Sequence, residues 1–129
     1  MSTTTYPNAT HYSAHFSRRE LDCRCGCDAP AWVEANLAKL AVHLEALRAA
    51  LGCPMTIHCA YRCPTHNAAI GGAPNGEHPK GNAADFSTKK HTPRQAYKVA
   101  ETITRFREGG MHTYSWGTHV DIGPGPRRW

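Results

Sequence analysis

The stretch Gly76-Glu77-His78-Pro79-Lys80-Gly81-Asn82-Ala83-Ala84-Asp85, answered by His119-Val120-Asp121, organises the chain. It sets a histidine and a carboxylate seven positions apart and follows them with a second histidine. A catalytic zinc ion takes three such nitrogen and oxygen ligands and keeps one position open. Asn82 to Ser87 reads as a strand that carries Asp85 inward, and Thr118 to Ile122 as another that carries His119. His78 falls in the loop before the first of these. Gly81, Ala83 and Ala84 are small enough to let backbone and substrate come close to a metal. Taken alone the spacing is a weak signal, because the chain holds 9 histidines.

Working outward, Val33, Leu37, Leu40, Leu44, Leu47 and Leu51 recur at intervals of 4, 3, 4, 3 and 4. That period predicts an amphipathic helix over residues 31–51, entered at Pro30 and stopped at Gly52. Ser17 with Glu20 forms a capping-box pattern for a single helical turn. Met55 to Tyr61 reads as a strand ending at Arg62, and residues 64–74 as a loop with one helical turn. Thr92-Pro93-Arg94-Gln95 starts a second long helix, expected to run through Phe106 to Gly109-Gly110. Met111 to Tyr114 and Thr118 to Ile122 are two strands joined by a turn, and the Gly/Pro-rich tail lies on the surface. The fold class is α+β: one domain, with a small antiparallel sheet flanked by helices. Residues 1–14 are expected to be a flexible segment before the domain of residues 15–129.

A chain of 129 residues with 40% hydrophobic and 19% charged residues has the composition of a single globular domain. No apolar run is long enough to span a membrane. A net charge of +5 and a pI near 9.0 favour anionic partners. The basic residues are scattered, with no helix-turn-helix or basic stripe, so nucleic acid is not the expected partner. Six cysteines fall into two trios, Cys23/Cys25/Cys27 and Cys53/Cys59/Cys63. The first lacks the usual spacing of a zinc knuckle, which favours crosslinks between the trios, with free thiols as the alternative.

Gly76 to Asp85 resembles the Ser-x-His-x-x-Gly-x-Ala-x-Asp signature of zinc-dependent D-alanyl-D-alanine carboxypeptidases and related peptidoglycan peptidases, peptidase family M15. Phe16 to Cys27, with Cys23-Arg24-Cys25-Gly26-Cys27, is similar to the N-terminal segment of a small subgroup common in phages. Ala60-Tyr61-Arg62-Cys63-Pro64 with Asn67 resembles the family's Tyr-Arg segment, and Tyr114, Trp116 and His119-Val120-Asp121 its closing metal-ligand strand. The resemblance covers residues 15–123. It implies a hedgehog/D-Ala-D-Ala peptidase-like domain in which His78, Asp85 and His119 bind Zn2+. It further implies that Arg62 grips a carboxylate or carbonyl of the peptide, with Tyr61, Tyr114 and Trp116 as further substrate contacts. A planar, permanently charged guanidinium suits that task.

Two positions depart from the family pattern. Gly76 replaces the leading Ser, and Trp116 and Gly117 stand where relatives carry a proton acceptor before the last histidine. Asp121 shares a strand face with His119, which admits two roles: general base, or a partner that orients the ligand ring. Glu77 is a weaker base candidate. The expected activity is zinc-dependent hydrolysis of a bond in peptidoglycan stem peptides, D-Ala-D-Ala carboxypeptidase-like or L-Ala-D-Glu endopeptidase, in a phage or prophage endolysin. The alternative is a zinc-stabilised, non-catalytic wall-binding or phage structural module. Met1 to Thr10 lacks the features of a signal peptide. The expectation is therefore a monomer made in the cytoplasm that acts in the periplasm or cell wall after release.

Overall fold

The computed structural model describes residues 4–129. Strands β1 (His11–Ser13) and β2 (Phe16–Ser17) form an antiparallel hairpin that runs into the one-turn helix α1 (Arg18–Leu21). The Ser17/Glu20 capping box is present at α1. Packing reaches further towards the N-terminus than residue 15: Tyr12 and Ser13 are buried, and the Tyr12 hydroxyl donates to Asp22 Oδ1 at 2.6 Å.

Helix α2 (Ala31–Leu51) buries Val33, Leu37, Leu40, Leu44, Leu47 and Leu51, the residues that give the sequence its period. Gly52 ends it in the left-handed conformation, its N–H bonded to Arg48 O. Strand β3 (Thr56–Cys59) is followed by helix α3 (Pro64–Ala69), a 3₁₀ turn at His78–Lys80 and strand β4 (Ala83–Ser87). Asn36 on α2 donates to Lys80 O at 2.9 Å, which ties the 3₁₀ turn to the long helix. Gly81 closes that turn at φ +75, and a Cβ there would press on Val33 and Leu37. The signature glycine thus lets His78 sit close to α2.

Helix α4 (Pro93–Ala100) starts with the expected Thr92/Gln95 capping box. It stops short of the predicted length, and α5 (Thr104–Arg107) is a separate turn. Thr102-Ile103-Thr104 are all β-branched, Thr102 Oγ1 donates to Val99 O at 2.6 Å, and Ile103 is extended. A competing side-chain bond and three stiff χ1 angles outweigh the apolar period there.

Strands β5 (Gly110–Thr113), β6 (Thr118–Asp121) and β7 (Arg127–Arg128) complete a five-stranded sheet in the order β3-β4-β6-β5-β7. All its pairs are antiparallel except β5 with β7. The tail, expected on the surface, supplies an edge strand. Phe86, Met111 and Val120 belong to the core cluster with the helices. Asp85, His119 and Asp121 alternate with them and occupy the opposite face. Among the described residues no helix is long and apolar enough to cross a membrane.

Candidate metal centre and substrate pocket

Register brings the predicted ligands together. Asp85 on β4 is directly opposite His119 on β6, and two residues on, Asp121 is opposite Ala83. Cross-strand neighbours on one face lie within side-chain reach. His78 comes from the 3₁₀ turn, and one ligand atom from each of His78, Asp85 and His119 lies within 4.8 Å of the others. His78 Nε2 is 3.3 Å from Asp85 Oδ2, and His119 Nδ1 is 2.8 Å from Asp85 Oδ1.

The opposite nitrogen of each ring is anchored. His78 Nδ1 donates to Ala60 O at 2.6 Å, and His119 Nε2 donates to Asp121 Oδ2 at 2.8 Å. In the neutral rings this leaves the lone pairs of His78 Nε2 and His119 Nδ1 pointing towards Asp85, the arrangement that metal-binding histidines need. Two imidazoles and a carboxylate with fixed outer hydrogen bonds fit a zinc ion with room for a further ligand.

The electrostatics match a site built for a cation. Burial alone would lift the Asp85 carboxyl, but His119 and His78 more than reverse it and hold it well below the usual range. Burial pulls the His78 ring down, yet the Asp85 carboxylate beside it carries it up to about 9. His119 is raised as well: its hydrogen bonds to Asp121 and Asp85 outweigh desolvation.

Asp121 borders the same pocket as the ligand cluster, but it is not a free carboxylate. It is wholly buried behind the His119 ring, on the side away from Asp85. Its Oδ1 accepts from Gly110 N–H at 2.8 Å and Gly123 N–H at 3.0 Å, and Arg127 forms an ion pair with it. A side chain on Gly110 would collide with this carboxylate. Of the two roles open to Asp121, these contacts suit the partner that orients the His119 ring better than the general base, because both oxygens already accept hydrogen bonds.

A pocket of about 340 Å³ opens over the cluster, lined by Arg62, Glu77, His78, Asp85, Tyr114, His119 and Trp129 among others. Among the described residues Arg62 has no carboxylate within salt-bridge distance, and its buried Nε has no hydrogen-bond partner. It is a cation lining the pocket with no carboxylate partner among the described residues. Glu77 is buried, with Oε1 accepting from Asn82 Nδ2 at 3.0 Å and Oε2 3.4 Å from Lys80 Nζ.

The aromatic assignments divide. Tyr114 lines the pocket and stacks on Trp116, ring planes 2° apart, so Trp116 backs the pocket wall from outside. Tyr61 is 2% exposed and points into the core instead, so it is no substrate contact. Trp129, which carries no motif to flag it, sets its ring edge-on to His119 at 4.9 Å. All six cysteines are free thiols, and the favoured crosslinks between the trios are absent. Cys53 lies 3.7 Å from His91 and Cys59 3.8 Å from His78.

Fold and site together define a single α+β domain with a buried His-Asp-His group able to hold a metal beneath a substrate-sized pocket. The family model described as Peptidase M15 matches residues 14–121, and the chain belongs to that peptidase family. A comparison with curated proteins found no match.

Proposed function

We propose that this protein is a zinc-dependent peptidase that hydrolyses a peptide bond in the stem peptides of bacterial peptidoglycan, acting as a phage or prophage endolysin. The observation that carries the reading is the convergence of His78 Nε2, Asp85 and His119 Nδ1 in the same pocket as the unpartnered Arg62. Stem peptides end in carboxylates, and an unpaired guanidinium in a pocket is a bidentate receptor for one. The net charge of +5 suits an anionic wall. Such a substrate places the activity in the periplasm or cell wall, with peptidoglycan as partner of a monomer.

His78, Asp85 and His119 would hold the zinc, which when bound supplies a Lewis acid at the scissile carbonyl and makes water a better nucleophile. Arg62 binds the peptide carboxylate or steadies the developing oxyanion. Tyr114, backed by Trp116, forms the wall that orients the chain. Glu77 is the pocket carboxylate outside the His-Asp-His-Asp set. Each of its oxygens has one partner and acceptor capacity to spare, so it takes the proton of the attacking water and returns it to the leaving amine. Asp121 positions His119 and stays out of proton transfer.

Digestion of purified peptidoglycan, with mass spectrometry of the released fragments, tests the proposal. Release of D-alanine, or cleavage between L-Ala and D-Glu, that stops with chelator and in His119→Ala is the expected result. Zinc-loaded, folded protein that releases nothing would overturn it in favour of a binding module.

A further inference from the structure

The thiols of Cys23, Cys25, Cys27 and Cys63 gather at one point, and none of them lines the substrate pocket. One sulfur from each lies within 4.8 Å of the others. Cys23 Sγ is 3.2 Å from Cys25 Sγ, and Cys25 Sγ is 3.5 Å from Cys63 Sγ. None is joined to another. Apolar packing does not account for the group, because Cys25 and Cys27 are exposed. The fourth member comes from the head of α3, 38 residues after Cys25.

We infer that these four cysteines form a second metal site, a closed four-thiolate centre for a zinc ion, separate from the His-Asp-His group. Four sulfurs around zinc at about 2.3 Å stand about 3.8 Å apart at the corners of a tetrahedron. The separations of 3.2 and 3.5 Å fall slightly inside that edge, and no pair exceeds 4.8 Å. A set made only of thiolates selects zinc, or iron as a competitor, over the oxygen-seeking calcium and magnesium. With all four positions filled by protein there is none for water or substrate, so the site is structural.

Backbone donors already serve the sulfurs. Cys63 N–H points at Cys23 Sγ at 3.3 Å, and His66 N–H at Cys63 Sγ at 3.4 Å. Such bonds stabilise the thiolate over the thiol and spread the charge of the centre. Gly26 N–H bonds Cys23 O at 3.0 Å and turns the loop so that Cys23, Cys25 and Cys27 face one way. Arg24, whose guanidinium donates to Arg19 O and Ile57 O, anchors the loop to the body of the domain.

The position gives the centre a role. It fastens the N-terminal loop to the segment that serves the substrate pocket, alongside the bond from Tyr61 N–H to Leu21 O. In that segment Ala60 O holds His78 Nδ1, and Arg62 N–H bonds His78 O. Arg62 is next to Cys63 in the chain. A metal on the four thiolates braces both a ligand ring and the cation of the pocket. The consequence for activity rests on the proposed function; the metal site itself does not.

Metal content and cobalt spectroscopy of the reduced protein test the assignment. Wild-type protein should carry two zinc equivalents per chain, and His119→Ala one. Cys63→Ser should also carry one, held by the histidines. Because a cysteine variant can fail to fold, the decisive measurement uses wild type and His119→Ala with cobalt(II) replacing zinc. Both should show the near-ultraviolet charge-transfer bands of thiolate-bound cobalt, with one equivalent bound by His119→Ala. A wild type that binds a single equivalent without those bands, or whose four cysteines prove to be disulfide-linked in the native protein, would overturn it. Either result leaves the peptidase reading intact.

Discussion

His119 Nε2 lies 2.8 Å from Asp121 Oδ2 while Nδ1 of the same ring lies 2.8 Å from Asp85 Oδ1. One imidazole bridges two carboxylates that differ in exposure and in company. Both line the pocket, but Asp85 has only the two imidazoles for company, whereas Asp121 also holds two backbone N–H groups and Arg127. The bridge assigns different work to the two acids, and the difference is measurable.

Asp121→Asn should weaken metal binding by about 10- to 100-fold, the usual effect of losing the partner that orients a ligand histidine. Activity should return when zinc is supplied in excess. Glu77→Gln should instead keep its metal and lose about 10²- to 10⁴-fold in kcat, the range for removal of a general base. Chelator competition combined with turnover measurements separates the two. If Asp121→Asn held metal normally but stayed inactive at saturating zinc, the base would be Asp121 after all.

Arg62→Ala should lower kcat/KM by about tenfold or more, since hydrogen bonds to charged groups contribute about 1.5–3 kcal/mol. Arg62→Lys should restore little, because an ammonium cannot offer the paired donors of the guanidinium. Thermal stability should hardly change, as Arg62 forms no ion pair among the described residues. A large drop in melting temperature would show that Arg62 supports the fold instead.

The His78–Asp85 pair makes the metal-free and metal-bound proteins respond to pH in opposite directions. With its pKa raised from 6.5 to about 9 by Asp85 against the pull of burial, protonated His78 favours the folded state. That contribution is complete below pH 6.5 and is lost as the pH rises through about 9. Asp85 is depressed below its ordinary 3.8, so its contribution is present above pH 3.8 and disappears as the pH falls through its lowered folded-state value. The chelated protein should therefore lose melting temperature between pH 6.5 and about 9. Metal needs the same nitrogen bare, so zinc affinity should rise over that range. Denaturation curves with zinc and with chelator, taken across it, give the two slopes.

Much of this architecture is written locally in the chain. Helix α2 follows from a leucine period closed by Gly52, and both capping boxes from residues three apart. The candidate ligands were legible through the resemblance of Gly76 to Asp85 to a family signature, not through spacing alone; His78 opens a 3₁₀ turn and Asp85 lies in the strand that follows. What was not legible depends on distant partners. Cys63 meets Cys25 across 38 residues of chain, and no spacing rule carries that contact. Tyr61 neighbours Arg62, but an extended chain sends successive side chains to opposite sides, and Tyr61 goes to the core. The break before α5 and the pairing of β7 with β5 likewise arise from competition that a single periodicity cannot express.

The tail supplies the last test. Arg127 lies on β7, which pairs in parallel with β5, and its guanidinium meets Asp121, a carboxylate held well below its usual range by His119 and Arg127 despite its burial. Removing the cation leaves a buried negative charge with two backbone N–H donors and one imidazole. Breaking a fully buried pair costs about 3–5 kcal/mol. Arg127 is 38% exposed, however, so water and salt take up part of the loss. Arg127→Ala should therefore destabilise the metal-free protein by about 1–2 kcal/mol, less than the buried limit. Bound zinc, by drawing His119 into a fixed orientation, should offset some of that loss. Urea denaturation of Arg127→Ala and wild type, each with and without zinc, measures both effects. An Arg127→Ala protein as stable as wild type would mean that Asp121 is adequately held by Gly110, Gly123 and His119 alone, and that β7 is an edge strand with no bearing on the metal centre.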